Sequence, residues 1–318
     1  MLPSDLPTEA DHVPVLADEV LAALAPAPGD TLVDCTFGSG GHSELLLGRL
    51  QGEGKLIAID RDPTVTPYFE RLRRRSGARM RLLHGEFSAV LSQLASNGVR
   101  ADGILLDLGV SSMQLDRRER GFSYAADAPL DMRMDPSAEL SARDVVNEAS
   151  EGELADIFRR YGEERYARPI AQAIVRRRAS QGFERSGDLV ATIKEAIPAP
   201  ARFGEGHPAR RVFQALRIEV NDELRALERA LPAALEMLRP GGRLAAISFH
   251  SLEDRLVKRF LRDGEHGCSC PPDFPRCVCG ATPLVRAVPR RAIRPGAAEL
   301  ARNPRSASAR LRVGVKVG

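Results

Sequence analysis

An α/β fold is predicted here: a doubly wound, mostly parallel sheet carrying a helical insertion. Three observations predict it. The run Thr-Leu-Val-Asp-Cys-Thr-Phe-Gly-Ser-Gly-Gly-His over 31–42 reads as a strand followed by a glycine turn. Near-continuous apolar runs at Leu32–Val33, Leu56–Ile59, Ile104–Leu106 and Leu244–Phe249 fit parallel strands buried on both faces, and helix-periodic segments separate them. That alternation stops between Leu115 and about Phe203, where no strong strand appears.

Taken in order, the helical patterns of the first part are Asp18–Ala25, Ser43–Leu50, Pro67–Arg75 and Ser88–Asn97, with Met80–Leu83 as a weaker strand. Ser141 is placed to cap a short helix in the insertion. Glu153–Tyr161, Glu164–Arg178 and Gly187–Ile197 have helical spacing, the last behind a cap candidate at Ser186, and Pro198, Pro200 and Gly204 close the region. The sheet resumes after a helix over Arg210–Leu231 and a turn at Arg239-Pro-Gly-Gly242. Leu311–Val317 alternates with period two, which suits an edge strand with one buried face. The expected division is 1–114, then an inserted helical subdomain over 115–203, then 204–318.

Composition excludes several classes. Of 318 residues, 43% are hydrophobic and 28% charged, as in ordinary globular proteins. No apolar run approaches the ~20 residues of a membrane span, so no membrane partner is expected. The start, Met-Leu-Pro-Ser-Asp-Leu-Pro, lacks a basic segment followed by an apolar one, which argues against secretion. Four of the five cysteines lie within twelve residues rather than spread as a disulfide framework, and a reducing cytoplasm is the expected compartment. Residues 286–318 hold nine basic side chains against one acid, a net +8 that leaves −5 for the rest of a chain totalling +3. A basic C-terminal segment suggests a phosphate-rich partner; the alternative is a solvated arginine surface.

The first candidate site is the glycine turn. Gly38, Gly40 and Gly41 let the backbone turn sharply and approach a ligand. Asp60 ends the next strand, where an acid accepts hydrogen bonds from ribose hydroxyls, so the ligand is expected to carry a nucleoside. A dinucleotide fingerprint counted from Gly38 needs a third glycine where Ser43 stands, which disfavours a nicotinamide oxidoreductase. Asp107 ends a third strand at the same ligand edge; the competing role is a turn former. Phe87, after the Met80–Leu83 strand, either stacks on an adenine or is a core residue under a loop. His250, in Ser-Phe-His-Ser after the last long strand, is a secondary catalytic candidate or a residue bonding its own loop. The loop from Gly121 to Met134 brings acids, arginines and aromatics that suit base stacking and phosphate contacts, or an ordinary surface loop.

The pattern D-x-x-x-G-x-G-G over 34–41 looks like motif I of class I methyltransferases that use S-adenosyl-L-methionine. Further segments agree with it in order and spacing: His12-x-Pro-Val-Leu16, Ala58-Ile-Asp-Arg-Asp62, Asp102-Gly-Ile-Leu-Leu-Asp-Leu-Gly-Val-Ser-Ser112 and Gln114-Leu-Asp116. So do Arg120-Gly-Phe-Ser123, Pro129-Leu-Asp-Met-Arg-Met134, Tyr161-Gly-Glu-Glu-Arg165, Asn221-x-Glu223 and Ile247-Ser-Phe-His-Ser-Leu-Glu-Asp254. Together they resemble the bacterial small-subunit (16S) ribosomal RNA cytosine-N(4) methyltransferase family over almost the whole chain. The resemblance implies a Rossmann-like class I methyltransferase fold. It implies S-adenosyl-L-methionine at Gly40, Gly41, His42, Asp60, Phe87, Asp107 and Gln114. It implies a cytidine in the decoding centre of 16S rRNA, near the P site, as target, with the small ribosomal subunit as partner; a monomer or homodimer is the expected state. Enzymes that methylate exocyclic amines often carry two prolines and an aromatic after the acid; here Leu-Gly-Val follows Asp107, so that amine-holding geometry is not carried over. A non-catalytic RNA-binding or ribosome-assembly factor on the same fold is the rival reading, and the intact glycine turn and Asp60 count against it.

One further motif stands apart. Cys268, Cys270, Cys277 and Cys279 form two C-x-C pairs that can supply four thiolates to a tetrahedral metal. Reduced thiols in a loop and disulfides are the other readings.

Overall fold

The computed structural model describes residues 14–202, 207–267, 279 and 282–318. It divides into two compact units: the chain up to Gly109 together with Arg225–Gly318, and Val110–Leu224. The insertion therefore starts earlier and ends later than the 115–203 expected from the sequence.

The first unit is a seven-stranded sheet: β1 (Thr31–Asp34), β2 (Lys55–Asp60), β3 (Met80–His84), β4 (Ala101–Asp107), β5 (Leu238–Ser248), β6 (Val285–Ala287) and β7 (Arg310–Lys316). The spatial order is β3-β2-β1-β4-β5-β7-β6. β1 to β5 run parallel, and β7 is antiparallel to both β5 and β6. Leu32, Val33, Ile104, Leu105 and Leu106 are essentially inaccessible, as strands covered on both faces require. Four helices cover the first half: α1 (Ala17–Leu24), α2 (Gly41–Arg49), α3 (Thr66–Ser76) and α4 (Phe87–Ser96).

Register decides where the acids lie. Asp34 pairs with Leu105, Asp60 with His84, and Asp107 with Ile247. Asp34, Asp60 and Asp107 thus end β1, β2 and β4 at one carboxyl edge, where open α/β sheets bind ligands.

The second unit is helical: α5 (Ser112–Asp116), α6 (Ala142–Glu148), α7 (Glu151–Gly162), α8 (Ala167–Arg178), α9 (Ser186–Ala196), α10 (Ala199–Arg202) and α11 (Arg210–Asn221). Ser141 caps α6 as expected, in a capping box with Asp144. The unit has its own core around Phe158, Phe183, Ile170 and Leu216. Then follow α12 (Glu223–Met237), α13 (Ser251–His266) and α14 (Ala297–Arg302).

Three expectations are corrected. The single helix over Arg210–Leu231 is two, because Asp222 takes a left-handed conformation at φ +53°. The turn at Arg239–Gly242 is absorbed into β5 as an irregularity: the partners of Leu238 and Arg243 are Ala101 and Gly103. Leu311–Val317 is not an edge; most of it is β7, an interior strand, because β6 adds beyond it. β6 is three residues long, too short for a periodic signal.

Candidate active site

The carboxyl edge of the sheet carries the site. After β1 the chain turns through Gly38 to Gly41 into α2, with Gly40 in the left-handed region at φ +88°. A Cβ on Gly40 would come within 2.9 Å of the Phe37 ring, so only glycine lets the backbone pass here. Phe37 is itself held edge-on to Phe69, centroids 6.0 Å apart. The Asp60 carboxylate stands beneath the turn, accepting from Gly38 N (2.8 Å) and Asp62 N (2.9 Å). Burial outweighs these bonds and pushes its pKa up from 3.8 to about 6. A buried carboxyl of this kind gains from further donors.

Behind the turn lies a buried cluster. Asp34 accepts from Ser43 Oγ at 2.7 Å, and burial raises its pKa. His42, in the first turn of α2, has its Nε2 3.5 Å from Asp107 Oδ2. Burial by itself would depress the imidazole, but Asp107, then Asp34 and Glu299, hold its pKa above 6.5. Asp107 is fixed from its backbone, whose N–H donates to Thr36 Oγ1 at 2.7 Å. With Nε2 facing Asp107 Oδ2, His42 Nδ1 and Asp107 Oδ1 are left buried without hydrogen-bond partners. Buried polar atoms are nearly always paired, so two orphans at one sheet edge are what a polar ligand would satisfy. This set of residues fits an adenosyl amino-acid cofactor: a backbone cradle, a ribose acceptor, and unpaired polar atoms for charged groups.

Other expected residues fall differently. Phe87 opens α4 half-buried and packs against the sheet core, a position compatible with either reading. Gln114 belongs to the second unit, where its side chain accepts from Ser111 N (3.0 Å) in a capping box. His250 precedes α13, and its Nε2 lies 3.0 Å from Glu253 Oε1. The 129–134 loop is braced rather than open. Asp131 and Arg133 pair with each other, Arg120 donates to the carbonyls of Arg133 and Met134, and Met132 is buried. The basic segment is not one free face either: Arg310 and Arg312 both pair with Asp254, and Lys316 donates to backbone carbonyls of Glu236 and Leu238. Cys268, Cys270 and Cys277 lie outside the described residues; Cys279 is exposed, and the described residues hold no metal-binding group of His, Cys, Asp or Glu.

Sequence reasoning missed Thr36 and Ser43, which fix Asp107 and Asp34. Both sit inside the glycine motif, and their hydroxyls were the available signal. It also missed Glu299, whose carboxylate takes Leu16 N at 2.8 Å across 283 residues and has no local signature.

A seven-stranded sheet of this order, with a glycine turn after β1 and an acid ending β2, defines a class I S-adenosyl-L-methionine-dependent methyltransferase. The chain belongs to the MraW methylase family, whose model matches residues 9–317. It is 53% identical over 309 residues to "Ribosomal RNA small subunit methyltransferase H" of Heliobacterium modesticaldum, covering 96% of this chain and 98% of that protein. Proteins of the same name from Symbiobacterium thermophilum and Geobacter sulfurreducens are 52% and 50% identical, each over 96% of this chain and over 96% and 99% of their own.

Proposed function

We propose that this enzyme methylates small-subunit ribosomal RNA, and that its target is the exocyclic N4 of one cytidine in the decoding centre near the P site. The relatives' names support the RNA class. The observation that carries the chemistry is Asp107: a strand-end carboxylate on the cofactor's sheet edge whose Oδ1 is buried and unpaired.

Gly40, Gly41, His42, Asp60, Phe87 and Asp107 are proposed to hold the cofactor and the reacting amine. When bound, S-adenosyl-L-methionine supplies an electrophilic methyl on a sulfonium, already a good leaving group. The protein's tasks are then alignment and exclusion of water. Asp107 Oδ1 accepts a hydrogen of the cytosine amine and turns its lone pair out of conjugation with the ring. His42 stands behind Asp107 Oδ2 and fixes the carboxylate's orientation. The amine proton leaves through Asp107 or to water as the new bond forms.

The test is mass spectrometry of small-subunit rRNA from cells with and without the gene. One N4-methylated cytidine near the P site should disappear. An unchanged modification profile would overturn the proposal, and loss of a mark on another atom would overturn the N4 assignment alone.

A further inference from the structure

We propose that a cavity beside His250 is a phosphodiester subsite for the RNA strand that carries the target nucleotide. The inference rests on the RNA reading above and deepens it. The cavity, about 160 Å³, lies beyond the carboxyl end of β5 and is lined by Phe249, His250, Ser251, Arg294, Ser308 and Arg310 among others. No carboxylate lines it among the described residues. It is one strand from Asp107: β5 pairs there through Ile247, whose carbonyl accepts from Leu108 N at 3.0 Å.

Two guanidiniums are brought together by backbone pairing. Ile293 and Leu311 form an isolated antiparallel bridge with reciprocal 2.9 Å bonds. Arg294 follows one residue of the bridge and Arg310 precedes the other, so the two arginines stand opposite each other. Like charges placed directly opposite are destabilising, and the Asp254 carboxylate offsets part of this from the Arg310 side. Arg310 is also pre-positioned: Asp254 takes its Nη1 at 2.8 Å and Arg312 Nε at 2.6 Å, one carboxylate shared by two cations. Arg294 is exposed, so its charge is available to a ligand.

A second, independent observation points to an anion. The His250 side chain is only 9% exposed, yet its Nδ1 has no partner. Glu253 Oε1, 3.0 Å from Nε2, holds one side of the ring, and Nδ1 is left as a buried polar atom without a partner on a residue that lines the cavity. Glu253 also accepts from Phe249 N (2.8 Å) and His250 N (3.3 Å), which fixes the entry to α13. The N-terminus of that sixteen-residue helix adds a partial positive charge, part of which Glu253 and Asp254 in its first turn offset. Two arginines, two hydroxyls, a buried imidazole and a helix N-terminus suit a phosphate, bidentate arginine contacts included.

The experiment uses the full-length enzyme and Arg294→Ala, a substitution at an exposed position, with Ser308→Ala as a milder variant. Binding to a small-subunit RNA transcript is measured against salt, and the His250 ring is followed by NMR while inorganic phosphate is added. The expected result for Arg294→Ala is about tenfold weaker RNA binding at low salt and a log–log salt slope shallower by about 0.7. Affinity for S-adenosylhomocysteine should be unchanged, and phosphate should shift His250 in the parent enzyme only. Unchanged RNA affinity and slope would overturn the subsite. A phosphate shift at His250 with an unchanged RNA slope would also overturn it, in favour of a site for free phosphate. A parent enzyme that methylates the RNA, with a variant indistinguishable from it, removes the subsite alone; a parent that leaves this RNA unmethylated removes the RNA reading and the subsite with it.

Discussion

Asp60 and Asp107 end the strands on either side of β1 at one sheet edge, yet their surroundings differ. Asp60 is an acid whose ionised form is costly: burial pushes its pKa up to about 6 from 3.8. The sign follows by linkage. The folded protein without ligand binds this proton more tightly than the unfolded chain, so its contribution to stability falls as pH rises from about 4 to 6 and is flat above. Two ribose hydroxyls donate best to the ionised carboxylate, whose two oxygens both accept strongly. Affinity for S-adenosylhomocysteine should therefore rise from pH 5 to 7 and then level. Asp60→Asn should flatten that profile, and Asp60→Ala should weaken binding at least tenfold at pH 7.5. Calorimetry across this range checks both; a parent profile as flat as the variant's would remove Asp60 from the ribose. Asp107→Asn keeps the shape and removes the charge. Single-turnover methylation should slow by about 10²-fold while cofactor affinity changes little. Loss of affinity with a normal rate at saturation would make Asp107 a cofactor ligand only.

At the scale of elements, the turn between β1 and α2 is where local chemistry and function coincide. Gly40 is left-handed and crowded by Phe37. Alanine there adds about 1–2 kcal/mol of backbone strain and displaces a buried ring. Gly40→Ala should lower the melting temperature by several degrees and cofactor affinity by more than tenfold. Thermal melts and calorimetry separate the two, and unchanged affinity would show that the turn does not touch the ligand. Other element ends are capped from the sequence itself: Glu86 accepts from Ser88 N at 2.7 Å to start α4, and Ser150 with Glu153 starts α7. Ser186, the cap candidate for α9, is instead that helix's first residue, its hydroxyl donating to Ala126 O and accepting from Ala128 N. Ser141 at α6 was readable. The left-handed Asp222 that splits α11 from α12 was not, since no glycine or proline marks it.

At the scale of the molecule, two cores divide the chain. One packs the sheet around Ile59, Ile104, Leu106 and Leu231; the other packs Phe158, Phe183 and Ile170 within the helical unit. Phe158 is completely buried, so Phe158→Ala should cost about 3–5 kcal/mol. Chemical denaturation should show this as an early transition of the helical unit, with a separate transition of the sheet unit left in place. A single transition that shifts as a whole would show that the cores melt together.

Much was determined by the sequence alone. Apolar runs long enough to be buried on both faces determined the parallel strands. The glycines and Asp60 marked the carboxyl edge of the sheet as the candidate site, because backbone freedom and an acid after a strand are local properties. The gap in strand signals announced a helical insertion. The tertiary structure decided what depends on partners far along the chain. It moved Leu311–Val317 from the edge to the interior of the sheet, because β6 adds beyond it. It tied Arg310 and Arg312 to Asp254, 56 and 58 residues away, which turned an apparently free basic segment into a partly neutralised one. It set His42 between Asp34 and Asp107, and Arg294 opposite Arg310. Local patterning records which residues favour a strand, a turn or a cap, but charge pairing and orphaned polar atoms belong to three-dimensional neighbours.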